Sequence, residues 1–389
     1  MNDAHGTRRV VVAGATGSIG RQTLDVIERH RDRLACVALT AGSDLEGLVA
    51  LAHTVRPAVV ALERAADPAV ARAALGSAAP GAEVLVGPGS SARAVAASGA
   101  DLVVNGVVGA AGLAVSLAAL AARARLALAN KESLVVGGPL VRAYLAKGGE
   151  LLPVDSEHSA ALQCLQGRPA AEVTTLTITA SGGALRKHPD WRRAAPAEVL
   201  AHPVWKMGAR ITVDSATLFN KGLELIEARW LFDLDWDQLD AVIHPQAIVH
   251  ALVAFRDGSS VAQAAHADMR LPIQLAISWP ERWPSAIAPV PATSLAGLEF
   301  APIPAGRHPA YDVARAAGRA GGTAPCVLNA ADEVAVAAFL DGALTLGQAV
   351  DCVARLVESH TPEDVESIEQ LERVDRAARE AARAAVVAA

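Results

Sequence analysis

The chain has 389 residues, of which 52% are hydrophobic, so it can bury substantial apolar cores. It exceeds the roughly 250–300 residues at which one core stops growing, and two or three domains are expected. With 35 basic against 41 acidic side chains the formal charge is −6, which excludes a global field that would hold nucleic acid or an anionic membrane; any anionic ligand has to be bound locally.

Met1–Val10 is short and mixed in charge, without the apolar core of a secretion signal, and nothing there directs export. From Arg9 to about Glu150, β-branched runs alternate with Ala/Leu-rich helical stretches, the order of βαβ units and a parallel sheet. The predicted strands are Val10–Ala13, Ala35–Thr40, Val59–Ala61, Leu102–Val104 and Leu126–Ala129. Between the first strand and a helix over Arg21–Arg29 stands Gly14-Ala15-Thr16-Gly17-Ser18-Ile19-Gly20. Glycines there permit a tight turn and close approach to a pyrophosphate, while a helix N-terminus supplies the anion site. The spacing is G-x-x-G-x-x-G, a variant that often accompanies NADP, and a plain βα turn has the same look. The uncharged run Leu102–Ala122 is long enough to raise a membrane span. Asn105, Gly106, Gly109, Gly112 and Ser116 divide it instead into a strand, a glycine turn and a helix.

From Leu151 to about Trp283 the texture changes to longer alternating strands such as Val173–Ala180 and Ser260–Ala265, a second α/β domain. Asp155-Ser156-Glu157 follows the apolar segment Leu151–Val154, so strand alternation points both carboxylates to one side and His158 away. In Asn220-Lys221-Gly222-Leu223-Glu224, helical spacing puts Asn220, Lys221 and Glu224 on one face, opposite Leu223, Ile226 and Trp230. Carboxylate-only ligation suits hard ions such as Mg²⁺ or Mn²⁺. Two solvated acids at a strand end would look alike. Ser181-Gly182-Gly183, with Ser215 in Val213–Thr217, can form a nest for phosphate oxygens or an ordinary turn and cap. His202–Gly208 has no periodicity and carries Trp205, Lys206 and Met207, as a lid or a packed surface loop would. His244 and His250 flank an apolar strand without an acidic cluster and read as structural.

Pro284–Pro309 holds six prolines and reads as a connector. Beyond it the signals are helical: Asn329 as an N-cap before Asp332, a helix start at Thr361-Pro362-Glu363-Asp364, and capping-box spacing from Ser367 to Gln370. The expected domains are residues 1–150, 151–283 and 312–389, with a connector at 284–311. Four cysteines, Cys36, Cys164, Cys326 and Cys352, lie scattered without C-x-x-C spacing, which points to a reducing cytoplasm.

Read together, Gly14–Gly20, Leu128–Ser133, Pro153–His158, Ser181–Gly183, His202–Gly208, Val213–Glu227, His244–Gln246, Met269–Pro272 and Leu328–Glu333 resemble, in order and spacing, the 1-deoxy-D-xylulose 5-phosphate reductoisomerases. The resemblance implies an α/β fold with an N-terminal Rossmann-like NADPH domain, a central catalytic domain and a C-terminal four-helix bundle, paired as a homodimer. It implies rearrangement of the sugar phosphate and reduction by NADPH to 2-C-methyl-D-erythritol 4-phosphate, the committed step to isoprenoid precursors, with Mg²⁺, Mn²⁺ or Co²⁺ as Lewis acid. Neither nucleic acid nor membrane is a partner on this reading. By the same resemblance Asp155, Glu157 and Glu224 are metal ligands, and Lys131 and Ser156 touch the substrate backbone. Ser181, Ser215, Asn220 and Lys221 form the phosphate site, and His202, Trp205 and Met207 fall on a lid. Gly14, Thr16, Gly17, Ser18 and Ile19 match the pyrophosphate loop, and Gly42, Ser43 and Asp44 the turn after the second strand. Asn130 and Glu132, with Gly109–Gly112, match the nicotinamide-ribose side. The chain departs from the commonest pattern in Ala184-Leu185 after the Ser-Gly-Gly turn. It departs again at Ser43-Asp44, where many relatives carry a basic or amide residue, and Asp44 is expected to narrow the preference for NADPH.

Overall fold

A computed structural model describes residues 6–205 and 207–388. The chain forms two compact units. One runs up to Ser133 and adds Val141–Asp155 and Asp268–Ile287; the other comprises Leu134–Leu140, Ser156–Ala267 and Ala288 onward.

The first unit is a doubly wound parallel sheet. Its strands are β1 (Arg8–Ala13), β2 (Leu34–Ala41), β3 (Val59–Leu62), β4 (Glu83–Val86), β5 (Leu102–Asn105), β6 (Arg125–Leu128) and β7 (Leu151–Pro153). The helices between them are α1 (Ser18–Arg29), α2 (Leu45–Val55), α3 (Pro68–Ala78), α4 (Ser90–Ser98), α5 (Gly112–Ala121) and α6 (Glu132–Leu145). The strand order is β4-β3-β2-β1-β5-β6-β7, so the winding reverses between β1 and β5, where such sheets open their ligand crevice. Val10, Val11, Val12 and Ala13 are wholly buried, as expected of a strand covered on both faces. One strand escaped the sequence reading, β4, a four-residue edge with a mixed exposure pattern; β7, expected to open the second domain, is instead the opposite edge of this sheet.

A further correction concerns the helix Arg270–Ser278, expected within 151–283 but part of the first unit. Its last carbonyls are claimed by arginines of that unit: Arg8 Nη1 donates to Ile277 O at 3.0 Å, and Arg125 Nη1 donates to Trp279 O at 2.7 Å. Cations at a helix C-terminus meet both the orphan carbonyls and the dipole. Near its start, Arg270 pairs with Asp25 of α1 at 3.3 Å.

The second unit opens on α7 (Ser156–Leu165) and β8 (Val173–Ala180), followed by α8 (Pro196–Val199), α9 (Ala209–Ala216) and α10 (Phe219–Phe232). Strands β9 (Leu239–Ile243), β10 (Val249–Phe255), β11 (Ser260–Ala264) and β12 (Ala301–Pro302) complete a five-stranded sheet, order β11-β10-β8-β9-β12. The helix Arg270–Ser278 is α11 in chain order. The proline-rich connector thus adds an edge strand to the sheet.

Four helices close the chain: α12 (Pro309–Ala320), α13 (Ala324–Leu340), α14 (Leu346–Ser359) and α15 (Ile368–Val387). Their core runs through Ala314, Leu328, Ala335, Phe339 and Val353 into Leu223 and Ile226 of α10. Gly222 permits that approach, because a Cβ there would stand 2.4 Å from the Cβ of Ala314. Two expected caps fail. Asn329 lies inside α13, not at its start, and Thr361–Asp364 forms neither helix nor strand, its Glu363 pinned to Thr323 with N···O distances of 2.9 and 3.0 Å. The last helix starts at Ser367, whose hydroxyl accepts from Gln370 N at 3.2 Å. Among the described residues no helix is long and apolar enough to cross a membrane.

Candidate functional site

The acid pair sits at a helix start. β7 ends at Pro153 and Ser156 opens α7, so Glu157 and His158 occupy its first turn. Strand alternation therefore misplaced His158. It is fully buried, with Nε2 2.9 Å from Glu224 O and Nδ1 3.3 Å from Glu227 Oε2. The helical turn also brings Glu157 toward α10. Carboxylate oxygens of Asp155, Glu157 and Glu224 lie within 4.8 Å of one another, and a second group of that span joins Asp155, His158 and Glu227.

Three carboxylates this close repel unless cations intervene. Lys131 Nζ stands 2.6 Å from Asp155 Oδ2, and Lys221 Nζ contacts Glu224 Oε2 and lies 3.3 Å from Glu157 Oε1. Both lysines and Glu224 are buried. Ser156 Oγ donates to Glu157 Oε2 at 2.7 Å, and Asn220 Nδ2 donates to Glu224 Oε1. Two buried ammonium groups thus face three carboxylates. All the donors are hard oxygens, and the set fits a divalent cation of the Mg²⁺ class. With such a cation on the carboxylates, the Lys221 ammonium would be released toward an anionic ligand.

The residues that could receive that anion adjoin it on the same unit. β8 ends in Ser181-Gly182-Gly183, and both glycines adopt left-handed backbone, φ +86° and +65°. A Cβ on Gly183 would stand 2.5 Å from Ser215 O, so this turn packs directly on α9 beside Ser215. Leu218, between Ser215 and Asn220, is held at φ +59°, a strained conformation for a leucine. Leu185 is buried in the helical core.

The described residues of His202–Gly208 form neither helix nor strand, and Lys206 lies outside the described residues. His202 is its organiser. Nδ1 accepts from Trp205 N at 2.8 Å and Val204 N at 3.2 Å, which leaves the proton of the neutral ring on Nε2, 3.1 Å from Ser181 Oγ. Ser181 Oγ also accepts from Gly183 N at 3.2 Å, so its own proton is free to donate outward. Trp205 meets the His250 ring edge-on at 6.2 Å. His250, read as structural, thus contacts the segment. His244 does remain internal: Nδ1 donates to Glu299 O and Nε2 accepts from the amides of Ile248 and Val249. Met207 is half-buried.

The segment's far end is anchored by a residue the sequence reading missed. Arg210, in the first turn of α9, binds Asn329 Oδ1 at 2.9 Å, Asp332 Oδ2 at 3.1 Å and Glu333 Oε1 at 3.1 Å. Burial works to raise the Glu333 carboxyl, yet Arg210 and Arg379 beside it hold it below the usual range. The pattern Leu328–Glu333 is therefore a clamp on α9.

In the first unit, Gly14 takes φ +77° and a Cβ there would lie 2.6 Å from Gly106 O. A Cβ on Gly20 would lie 2.4 Å from Gly14 O. The turn is closed by backbone against backbone, with Thr16 in it and Gly17 as the N-cap of α1; Ser18 and Ile19 open the helix, whose first turn holds no acidic side chain. Such an end suits an anion. Asn130 and Glu132 do not project freely: Asn130 Nδ2 donates to Gly109 O at 3.0 Å, and Glu132 Oε1 accepts from Gly109 N at 3.1 Å. They brace the Gly109–Gly112 turn. Gly42, Ser43 and Asp44 are exposed after β2, and Asp44 caps α2 by accepting from Gly47 N at 2.9 Å.

Three family models match this chain: 1-deoxy-D-xylulose 5-phosphate reductoisomerase over residues 10–138, the C-terminal domain of that enzyme over 151–232, and a further C-terminal domain of it over 265–381. A relative named 1-deoxy-D-xylulose 5-phosphate reductoisomerase, from Thermomicrobium roseum, is 48% identical over 358 residues, covering 91% of each chain. A solved reductoisomerase in complex with NADPH, fosmidomycin and magnesium superposes with a TM-score of 0.92 at 36% identity, covering 97% of this chain and 98% of that one. The Zymomonas mobilis enzyme in complex with NADPH superposes with a TM-score of 0.89 at 37% identity, covering 98% and 99%. Matched by family models over most of its length, 48% identical to a relative across 91% of both chains and alike in fold, this chain belongs to the 1-deoxy-D-xylulose 5-phosphate reductoisomerase family.

Proposed function

We propose that this chain converts 1-deoxy-D-xylulose 5-phosphate to 2-C-methyl-D-erythritol 4-phosphate, using NADPH and a divalent cation held by Asp155, Glu157 and Glu224. The observation that carries the reading is the convergence of those three carboxylates on two buried lysines. When bound, the cation supplies Lewis acidity to substrate oxygens and NADPH supplies hydride.

The chain's own residues do the rest. Lys131 and Ser156, at the rim of the acids, hold the substrate backbone, and the Lys131 ammonium offsets negative charge on the reacting oxygens. Ser181 and Ser215 donate to the phosphate, with Asn220 and Lys221 beside them on α10. His202, Trp205 and Met207 cover the substrate and exclude water, which strengthens each of these electrostatic contacts. His202 performs a second task by turning the Ser181 hydroxyl outward. Gly14, Thr16, Gly17, Ser18 and Ile19 receive the cofactor pyrophosphate, while Asn130 and Glu132 shape the turn on its nicotinamide side.

The reading includes a homodimer, supported by the free edge strand β11 with Val261 41% exposed and Leu252 on β10 37% exposed. It places the enzyme in the cytoplasm, in keeping with four free cysteines, and assigns it neither nucleic acid nor membrane as a partner. The test is NADPH oxidation on addition of 1-deoxy-D-xylulose 5-phosphate, with product identified by mass. Turnover should vanish with a chelator and return with Mg²⁺ or Mn²⁺; turnover that survives exhaustive chelation would refute the metal assignment.

A further inference from the structure

In dinucleotide-binding sheets the adenosine ribose lies over the end of the second strand, where an acid selects NAD and a nearby cation admits the 2′-phosphate of NADP. Here the turn Gly42-Ser43-Asp44 offers no cation, and Asp44 carries the wrong sign. The neighbouring strand makes up the deficit. β3 pairs with β2 in parallel, Leu62 opposite Ala41, and the pairing continues past both strand ends: Glu63 N donates to Ala41 O at 3.0 Å and Arg64 N to Gly42 O at 2.8 Å. The two side chains then part. Glu63 turns to the start of α4, where it accepts from Ser91 N at 3.0 Å and from the Ser90 hydroxyl at 3.3 Å, so its charge is already satisfied. Arg64 turns to the other side. Its Nη2 lies 3.5 Å from where a Cβ on Gly42 would stand. The side chain is exposed, and among the described residues its guanidinium makes no hydrogen bond or ion pair.

We propose that Arg64 binds the 2′-phosphate of NADPH, replacing from β3 the basic side chain that the turn after β2 lacks. The inference rests on the NADPH reading above. A guanidinium presents several donors in a fixed plane and suits a phosphate monoester dianion, whereas the neutral 2′-hydroxyl of NADH gains little from it. Ser43 adds a hydroxyl at the same turn. Asp44 works against the phosphate but spends one oxygen on its own helix.

Binding, not turnover, is the readout. Dissociation constants for NADPH, NADH, 2′,5′-ADP and 5′-AMP are measured by calorimetry for the wild-type protein, Arg64→Gln and Arg64→Lys, with thermal melting as a fold control. Arg64→Gln should weaken NADPH and 2′,5′-ADP by about tenfold or more, the effect of removing a charged hydrogen-bonding partner. NADH and 5′-AMP should bind as before, and Arg64→Lys should retain part of the preference. An NADPH-to-NADH ratio unchanged in Arg64→Gln, whether both bind as in wild type or both are weakened together, overturns the assignment of Arg64 while the wild-type preference for NADPH leaves the broader reading intact. A wild-type protein that favours NADH overturns both.

Discussion

Around Glu224 the chain buries charged side chains, whereas in the turn after β1 it offers backbone. Glu224 and Lys221 are 1% and 4% exposed, and each is held in place by the other. In the Gly14–Gly20 turn the close contacts are to carbonyls and Cα atoms, and what the turn would offer an anion is a helix end. The two designs are vulnerable to different changes. A buried charge network keeps its shape under an isosteric substitution but loses its chemistry. A backbone cradle is indifferent to neighbouring side-chain chemistry and intolerant of a single added carbon.

Glu224→Gln is the sharpest way to break that contrast. The amide preserves volume, its oxygen can still accept from Lys221 and its NH2 can donate to Asn220 Oδ1 once that side-chain amide flips, so folding should survive. Turnover should fall by about 10²–10³-fold or more, the scale of removing one charge-stabilising group from an active site. NADPH affinity should be unchanged, since the nucleotide turn uses none of these side chains. Wild-type turnover of the purified variant at saturating Mg²⁺ would remove Glu224 from the site.

Gly20→Val attacks the other design. The new Cβ would stand 2.4 Å from Gly14 O and 2.5 Å from the Ala15 Cα, and both are backbone atoms that cannot swing away. Overpacking of this kind costs about 1–3 kcal/mol or more, so the melting temperature should fall and NADPH binding should be lost. Gly76, inside α3 with open space where a Cβ would go, is the control. Gly76→Ala should raise stability by about 0.5–1 kcal/mol, the usual gain for a helix interior. If Gly20→Val melted like Gly76→Ala, the turn would not be backbone-limited.

What could be read from the sequence was local. The glycine turn, the Ser-Gly-Gly nest and the face shared by Asn220, Lys221 and Glu224 each lie within one element, where spacing fixes neighbourhood. The acids at 155 and 157 were legible as a pair, but the geometry was not, because a three-residue strand handing over to a helix leaves no periodic signal. His158 was misplaced for that reason. Arg64 reaches Gly42 only through parallel pairing of β3 with β2, and Arg210 reaches Asn329 and Asp332 across more than a hundred residues. Neither distance exists in the sequence. Asn329 looked like a cap because asparagine favours caps; inside α13 its side chain is occupied by Arg210 and Glu333 instead.

The smallest effect belongs to the segment that His202 organises and is read with pH. His202 holds its loop only as a neutral ring, since Nδ1 must accept from the amides of Val204 and Trp205. Burial lowers its pKa from the ordinary value, so a ring released to solvent would bind a proton more readily than the packed one. Stability of the turn from this source is therefore complete above the exposed ring's ordinary pKa of about 6.5 and is lost as pH falls from there through the lower value of the packed ring. Protonation would also leave the Nδ1 proton facing two N–H donors. The emission of Trp205, isolated by subtracting a Trp205→Phe protein, should shift over that window. His202→Asn separates this cause from other titrations, because an asparagine oxygen accepts from amides two and three residues ahead without a charge to gain. The variant should keep the turn and lose the step in emission; a pH step that persists in His202→Asn would assign the titration to another group.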